Sequence, residues 1–192
     1  MFMKKTQKIR DIKAREILDS RGNWTVEVDL ETPQGLFRGS APSGTSNGKY
    51  EAPIVGSKRA VKNINEIIVQ KLKGKDVISQ KEIDSFLDPE KFGANATTPV
   101  SLAVCRAAAS SENLPLYRYI ADNTFSTTVP KMLSIPGPAF NVINGGAHAG
   151  NELDFQEFMI VPQSKTFLKK LQIATEIYHE LKKIIKEKYL DL

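Results

Sequence analysis

The stretch that most constrains this chain runs from Ala139 to Ile160, AFNVINGGAHAGNELDFQEFMI. A short apolar run enters a turn built on Asn144-Gly145-Gly146. His148 and Gly150 follow the turn, and a second apolar run, Phe155 to Val161, leaves with Gln156 and Glu157 inside it. Two strands therefore meet at a glycine-rich corner that carries an imidazole, an amide and a carboxylate. Glycine lets backbone approach a ligand closely, and histidine titrates near neutral pH. That pairing is unusual for a plain hairpin and marks the corner as the candidate binding or catalytic site.

The residues before the corner predict a platform. Ile9 to Asp19 alternates imperfectly and reads as a strand, and Ser20-Arg21-Gly22-Asn23 is a turn signal. Trp24 to Leu30 alternates cleanly, as a half-buried strand does, and Leu36 to Ser40 follows the turn Pro33-Gln34-Gly35. Three strands with short links predict an antiparallel meander. Ala41 to Glu51 is a loop rich in hydroxyls and glycine. Ser57 is placed to cap a helix with apolar positions at Ala60, Val61, Ile64, Ile67, Ile68 and Leu72, ended by Gly74. Ser79 with Glu82 has the spacing of a capping box. Thr98-Pro99 predicts a third helix with proline at its first position, and Pro115 a fourth from Leu116 to Ala121. Strands followed by helices make an α+β domain.

Thr124 to Pro138, polar and then rich in proline, is the expected boundary. It divides the chain into a domain of residues 1–130 and a segment of residues 131–192. The second part holds two strands and one long amphipathic helix, about Thr166 to Lys188, with Phe167, Leu171, Ala174, Ile177, Tyr178 and Leu181 on one face. Two apolar strands and one helix cannot close a sheet, and open apolar edges invite association.

Composition excludes several classes. Within 192 residues, 41% are hydrophobic and 26% charged, the balance of a globular chain. No run approaches the ~18 apolar residues of a membrane helix, and the start lacks the apolar core of a secretory signal, so a cytoplasmic address is expected. Cys105 is the single cysteine, so no internal disulfide forms; its apolar helical setting marks a buried thiol. The formal net charge is +5, spread over helix lysines without interleaved aromatics, so no nucleic-acid partner and no membrane partner is expected.

Several stretches together carry a family resemblance. Ala14-Arg15-Glu16-Ile17-Leu18-Asp19-Ser20-Arg21-Gly22-Asn23 with Thr25-Val26-Glu27-Val28 resembles the opening of enolase (phosphopyruvate hydratase). Pro42 to Gly48 is similar to that family's mobile PSGASTG loop. Phe92 to Ala96 with Val100 to Ala103 resembles its GANAILGVSLA segment. Phe140 to Asn151, then Gln156 to Ile160, resembles the start of its barrel domain. The likeness spans about Ile9 to Tyr189. It implies an α+β N-terminal domain followed by the first ββα of an eightfold β/α barrel. It also implies interconversion of 2-phosphoglycerate and phosphoenolpyruvate with Mg²⁺, in which metal charge stabilises the intermediate left when a weak carbon acid loses its proton. By this resemblance Ser46 matches a loop serine that ligates Mg²⁺, and His148 a histidine near the substrate phosphate. Gln156 and Glu157 match an active-site pair, the Glu serving the acid arm that handles the leaving hydroxyl.

The sequence also departs from the family's pattern. Thr45 and Asn47 stand where the family has Ala and Thr, Thr97-Thr98-Pro99 replaces Ile-Leu-Gly, and Trp24 replaces a proline. The ELRDGD-type stretch and GKGV turn expected after Ala52 are missing. The family's base lysine and its acidic Mg²⁺ ligands belong to later barrel strands, beyond Leu192. The expectation is therefore a shortened enolase homologue, not catalytic as these 192 residues alone. It would be completed by a barrel-bearing chain, or act as a non-catalytic interaction protein that binds itself, an intact enolase or a separate barrel chain.

Overall fold

In a computed structural model the structure describes residues 7–44, 48–124, 133–146 and 149–189, together with the side chains of all of these except Thr124 and Tyr189. The chain divides into two compact units, Met1–Val129 and Pro130–Leu192.

The alternation in the first unit becomes an antiparallel meander of β1 (Asp11–Leu18), β2 (Trp24–Thr32) and β3 (Gly35–Ser40), ordered β1-β2-β3. One face is apolar: Ile12, Ala14, Val26, Val28 and Leu30 are buried. The other face is ionic. Register sets Arg15 opposite Glu27 and Asp29 opposite Arg38. Arg15 pairs with Glu27 and, at 2.5 Å, with Asp29, while Arg38 Nε donates to Asp29 at 2.7 Å.

Hydrogen bonds from Arg38 and then Arg15 pull the Asp29 carboxyl down to about 2. Asp19, in the β1–β2 turn, is also drawn down to about 2, first by the Ser43 hydroxyl and then by the Asn23 N–H. A carboxylate held below its unfolded value stabilises the fold above that unfolded value, near 4, and loses the contribution as pH falls toward 2. The melting temperature is therefore expected to drop between pH 4 and pH 2. The Asp29→Asn variant should start lower and show a shallower drop in the same scan; a drop of unchanged depth would contradict the assignment.

Beyond the sheet, α1 (Ser57–Lys62) runs through a π-helical stretch, Asn63–Ile68, into α2 (Val69–Leu72) without a break. Gly74, at φ +83°, ends this helical run. Asn65 lies in the π stretch, and its amide accepts from the Ala14 N–H at 2.8 Å and donates to the Ala14 carbonyl at 3.1 Å. The outer edge of β1 is thus paired by a side chain at its middle. Residues 74–77 pair the stretch just before it, through Gly74 N–H to Ile9 O and Val77 N–H to Gln7 O. An edge strand covered in this way is a poor template for association.

The short helices α3 (Gln80–Phe86) and α4 (Pro89–Phe92) lead to α5 (Ala94–Ser111) and α6 (Leu116–Thr124). α5 packs on β2 and β3. It buries Ala96, Val100, Ala103, Val104, Ala107 and Ala108, a face of small residues that lets the helix sit close to the sheet. Gly39 is where β3 meets it: a Cβ there would overlap the Pro99 carbonyl oxygen and sit 3.0 Å from the Ala103 nitrogen.

Local expectations were corrected in four places. Pro99 lies inside α5, which begins five residues earlier. Gly93, at φ +92°, turns the chain, and the Asn95 amide brackets both backbone groups of Val55, at 3.1 and 2.6 Å. Gly56, not Ser57, holds the cap position of α1, and the Ser57 hydroxyl instead donates to Glu16 at 2.6 Å. Ser79 does precede α3 but its side chain makes no capping hydrogen bond, and the Glu82 carboxylate pairs with Lys75. The helix α6 runs about one turn further than expected.

The second unit contains β4 (Phe140–Asn144), β5 (Glu157–Ile160) and α7 (Phe167–Tyr189). The strands pair antiparallel, Asn144 facing Glu157, with a bulge between Asn141 and Ile143. Of the apolar face of α7, Ala174 is buried, while Phe167, Leu171, Ile177 and Tyr178 remain exposed. The α+β class with a three-stranded meander, helices and a ββα segment is borne out.

Candidate functional site

The corner is built by close backbone contact. The Gly145 N–H donates to the Gln156 carbonyl at 3.0 Å, and the Gly146 N–H to the Leu153 carbonyl at 2.6 Å. A Cβ on Gly145 would lie 2.6 Å from the Leu153 Cβ and would overlap the Phe155 carbonyl oxygen. The glycine therefore serves the returning strand: here the close approach is chain to chain, which corrects the expectation that Gly145 makes room for a ligand. Gly146, at φ +64°, adopts a conformation that glycine tolerates best.

Two asparagines hold the turn. Asn151 Nδ2 donates to the Asn144 carbonyl at 3.0 Å, its Oδ1 accepts from the Leu153 N–H at 3.1 Å, and Asn141 Nδ2 donates to Asn144 Oδ1. Among the described residues, the turn is thereby held by side chains that read as ordinary turn formers.

The corner borders an open hollow of about 500 Å³ lined by Asn144, Ala149, Gln156 and Glu157. Gln156 and Glu157, consecutive in sequence, both border this space. Glu157 sits in β5, and its side chain is open to solvent. His148 and Ser46 lie outside the described residues. Asn144 is the site residue that the sequence reading passed over as a turn former. Its register opposite Glu157 is what places it there. Chemically, the hollow offers a carboxylate for proton transfer and amides for hydrogen bonds to an oxygen-rich ligand.

The comparisons with known proteins agree along the chain. The family described as "Enolase, N-terminal domain" matches residues 9–120, and "Enolase, C-terminal TIM barrel domain" matches residues 132–191. The chain belongs to the enolase family. It is also similar to an enolase of Mastigamoeba balamuthi, 48% identical over 200 aligned residues that take in 94% of this chain and 45% of that protein. The chain thus spans about half the length of that enolase. The aligned length exceeds the 192 residues present, so the relative carries residues inside the matched stretch that have no counterpart here. This agrees with the shortened stretch noted after Ala52. The β4 to β5 corner falls at the beginning of the match to the enolase barrel domain.

Among the described residues no group of three His, Cys, Asp or Glu side chains is placed to hold a metal ion. Glu157 stands as one carboxylate beside amides, which does not fit a complete site for Mg²⁺ with its demand for several hard oxygen ligands. No described helix is long and apolar enough to cross a membrane.

Proposed function

We propose that these residues form one wall of an enolase-type site for dehydration of 2-phosphoglycerate to phosphoenolpyruvate. The observation that carries the reading is the shared hollow of Gln156 and Glu157 at a corner matched to the enolase barrel domain. Glu157 would act on the acid arm that receives the departing hydroxyl. Gln156 and His148 would orient the substrate, and Ser46 would serve as the loop ligand for Mg²⁺. Cytoplasmic residence goes with this reading.

The wall is not a whole site. Proton abstraction next to a carboxylate needs a base and concentrated positive charge. The described residues supply neither at this corner. The remaining barrel strands, whether on the same polypeptide or on another, would bring both. The 192 residues alone are therefore expected not to turn over 2-phosphoglycerate when the enolpyruvate absorbance is followed. Mixing them with a polypeptide bearing the remaining barrel strands should restore turnover; a silent mixture that nevertheless forms a complex would overturn the reading.

A second reading is an interaction protein without catalysis. Exposed apolar side chains in the second unit favour it: Phe155, Met159, Leu168 and Tyr178 are all more than half open to solvent. Such a surface seeks a cover. By light scattering, the isolated 192 residues are expected to self-associate through the second unit. A stable monomer that binds no apolar dye would count against this reading.

A further inference from the structure

In the first unit, α3, α5 and α6 leave a cleft of about 780 Å³ between them, remote in sequence from the β4 to β5 corner. Its walls include Ile78, Leu102, Cys105 and Ile120, with Gln80 and Tyr119 among them. Two polar groups on these walls are unmet among the described residues: the Tyr119 hydroxyl and Gln80 Oε1, both buried and without a hydrogen-bond partner. Tyr119 as a whole is 2% exposed.

The orientation of the Gln80 amide is determined by its donors. Its Nε2 reaches both Asp84 carboxylate oxygens, at 3.0 and 3.1 Å, and the Ser101 hydroxyl at 3.2 Å. The idle atom is therefore the acceptor. The Tyr119 hydroxyl is the complementary idle group, a donor. Burial pushes its pKa up to about 12, so it keeps its proton. Burial also pushes the neighbouring Cys105 thiol up, so charge is penalised beside Tyr119 and Cys105, although Lys81, Glu82 and Asp84 also line the cleft. Unmet buried polar groups are uncommon in folded proteins and call for a partner.

We propose that this cleft binds a small, neutral, flat ring carrying an N–H beside a C=O, that is, a lactam. The ring would lie against Leu102 and Ile120. Its N–H would donate to Gln80 Oε1, and its C=O would accept from Tyr119. The cleft is of the size and mixed apolar–polar lining that small-molecule sites have. Both oxygens are closed to bulk water, so binding must open the cleft floor to them. This site is independent of the dehydration reading above.

The test uses the full 192-residue chain, 2-pyridone as probe and amide chemical shifts as readout. Saturable shifts at Ser101, Leu102, Cys105 and Ile120 are expected. N-methyl-2-pyridone, which lacks the donor, should bind about fivefold to tenfold more weakly, the worth of one neutral hydrogen bond. Tyr119→Phe, which removes only the hydroxyl, should weaken 2-pyridone by a similar factor. That variant should keep or raise the melting temperature, since no bond inside the protein is lost. Absent shifts, equal affinities for the two pyridones, or equal affinities of the two proteins would each overturn the proposal. A lower melting temperature of Tyr119→Phe would also overturn it, because the hydroxyl would already be bonded, for example by a trapped water.

Discussion

Gly39→Ala is expected to destabilise the first unit by at least about 3 kcal/mol, the upper range for forcing atoms into a packed interior. The added methyl meets the Pro99 carbonyl oxygen and the Ala103 nitrogen, which are backbone atoms of α5. Backbone in the middle of an 18-residue helix cannot rotate aside. The strand must move, and it belongs to a sheet whose apolar face is fully covered. Thermal denaturation should show a fall of roughly 6–12 °C for a chain of this size. Gly56→Ala is the control: a Cβ there meets nothing within 4 Å, and the φ of −54° suits any residue. Equal melting temperatures for the two variants would mean that β3 and α5 are not this close.

Asn95→Ala is the second large effect, expected at about 2–4 kcal/mol, from two half-buried backbone groups losing their partners. The Asn95 side chain acts as a short stretch of strand for Val55, accepting from its N–H and donating to its carbonyl. It thereby ties the residues before α1 to the first turn of α5. Asn95→Asp keeps the acceptor but turns a carboxylate toward the Val55 carbonyl, so it should rescue little. Asn65→Ala is the counterpart at β1. It also unpairs both backbone groups, here those of buried Ala14, so a comparable cost is expected. Chemical denaturation should show both alanine variants well below the unaltered chain; a cost under about 1 kcal/mol for either would contradict the role of its amide.

These asparagines also explain what could be read from the sequence. The meander was legible because alternation in Thr25-Val26-Glu27-Val28 depends only on which side of a sheet is dry. The corner was legible because Asn144-Gly145-Gly146 admits the turn and positive-φ conformations that most other residues resist. The start of α5 was not. Asn95, Thr97 and Thr98 are poor helix formers by local preference, and Pro99 looks like a first residue. What wins there is tertiary: Gly93 turns the chain and Val55 occupies the Asn95 amide. The π-helical stretch had no signal either, since its apolar residues keep an ordinary helical spacing.

The site was legible in part, and for a different reason. Gln156 and Glu157 stood out as polar residues inside an apolar strand, and they do line one hollow. Asn144 did not stand out, because its role depends on register with Glu157 rather than on its neighbours in sequence. The glycine at 145 was noticed for the right property and assigned the wrong partner.

The most direct test of the central claim is turnover by the complemented barrel with Glu157 replaced by Gln. Glutamine keeps the size and hydrogen-bonding reach of the side chain but cannot carry the proton. With the 192 residues and a polypeptide bearing the remaining strands assembled equally well for both proteins, a loss in kcat of about 10²–10⁴ is predicted, the usual worth of a positioned acid or base. An assembled Glu157→Gln variant that turns over 2-phosphoglycerate as fast as the unaltered chain would contradict the assignment of this corner to the chemistry.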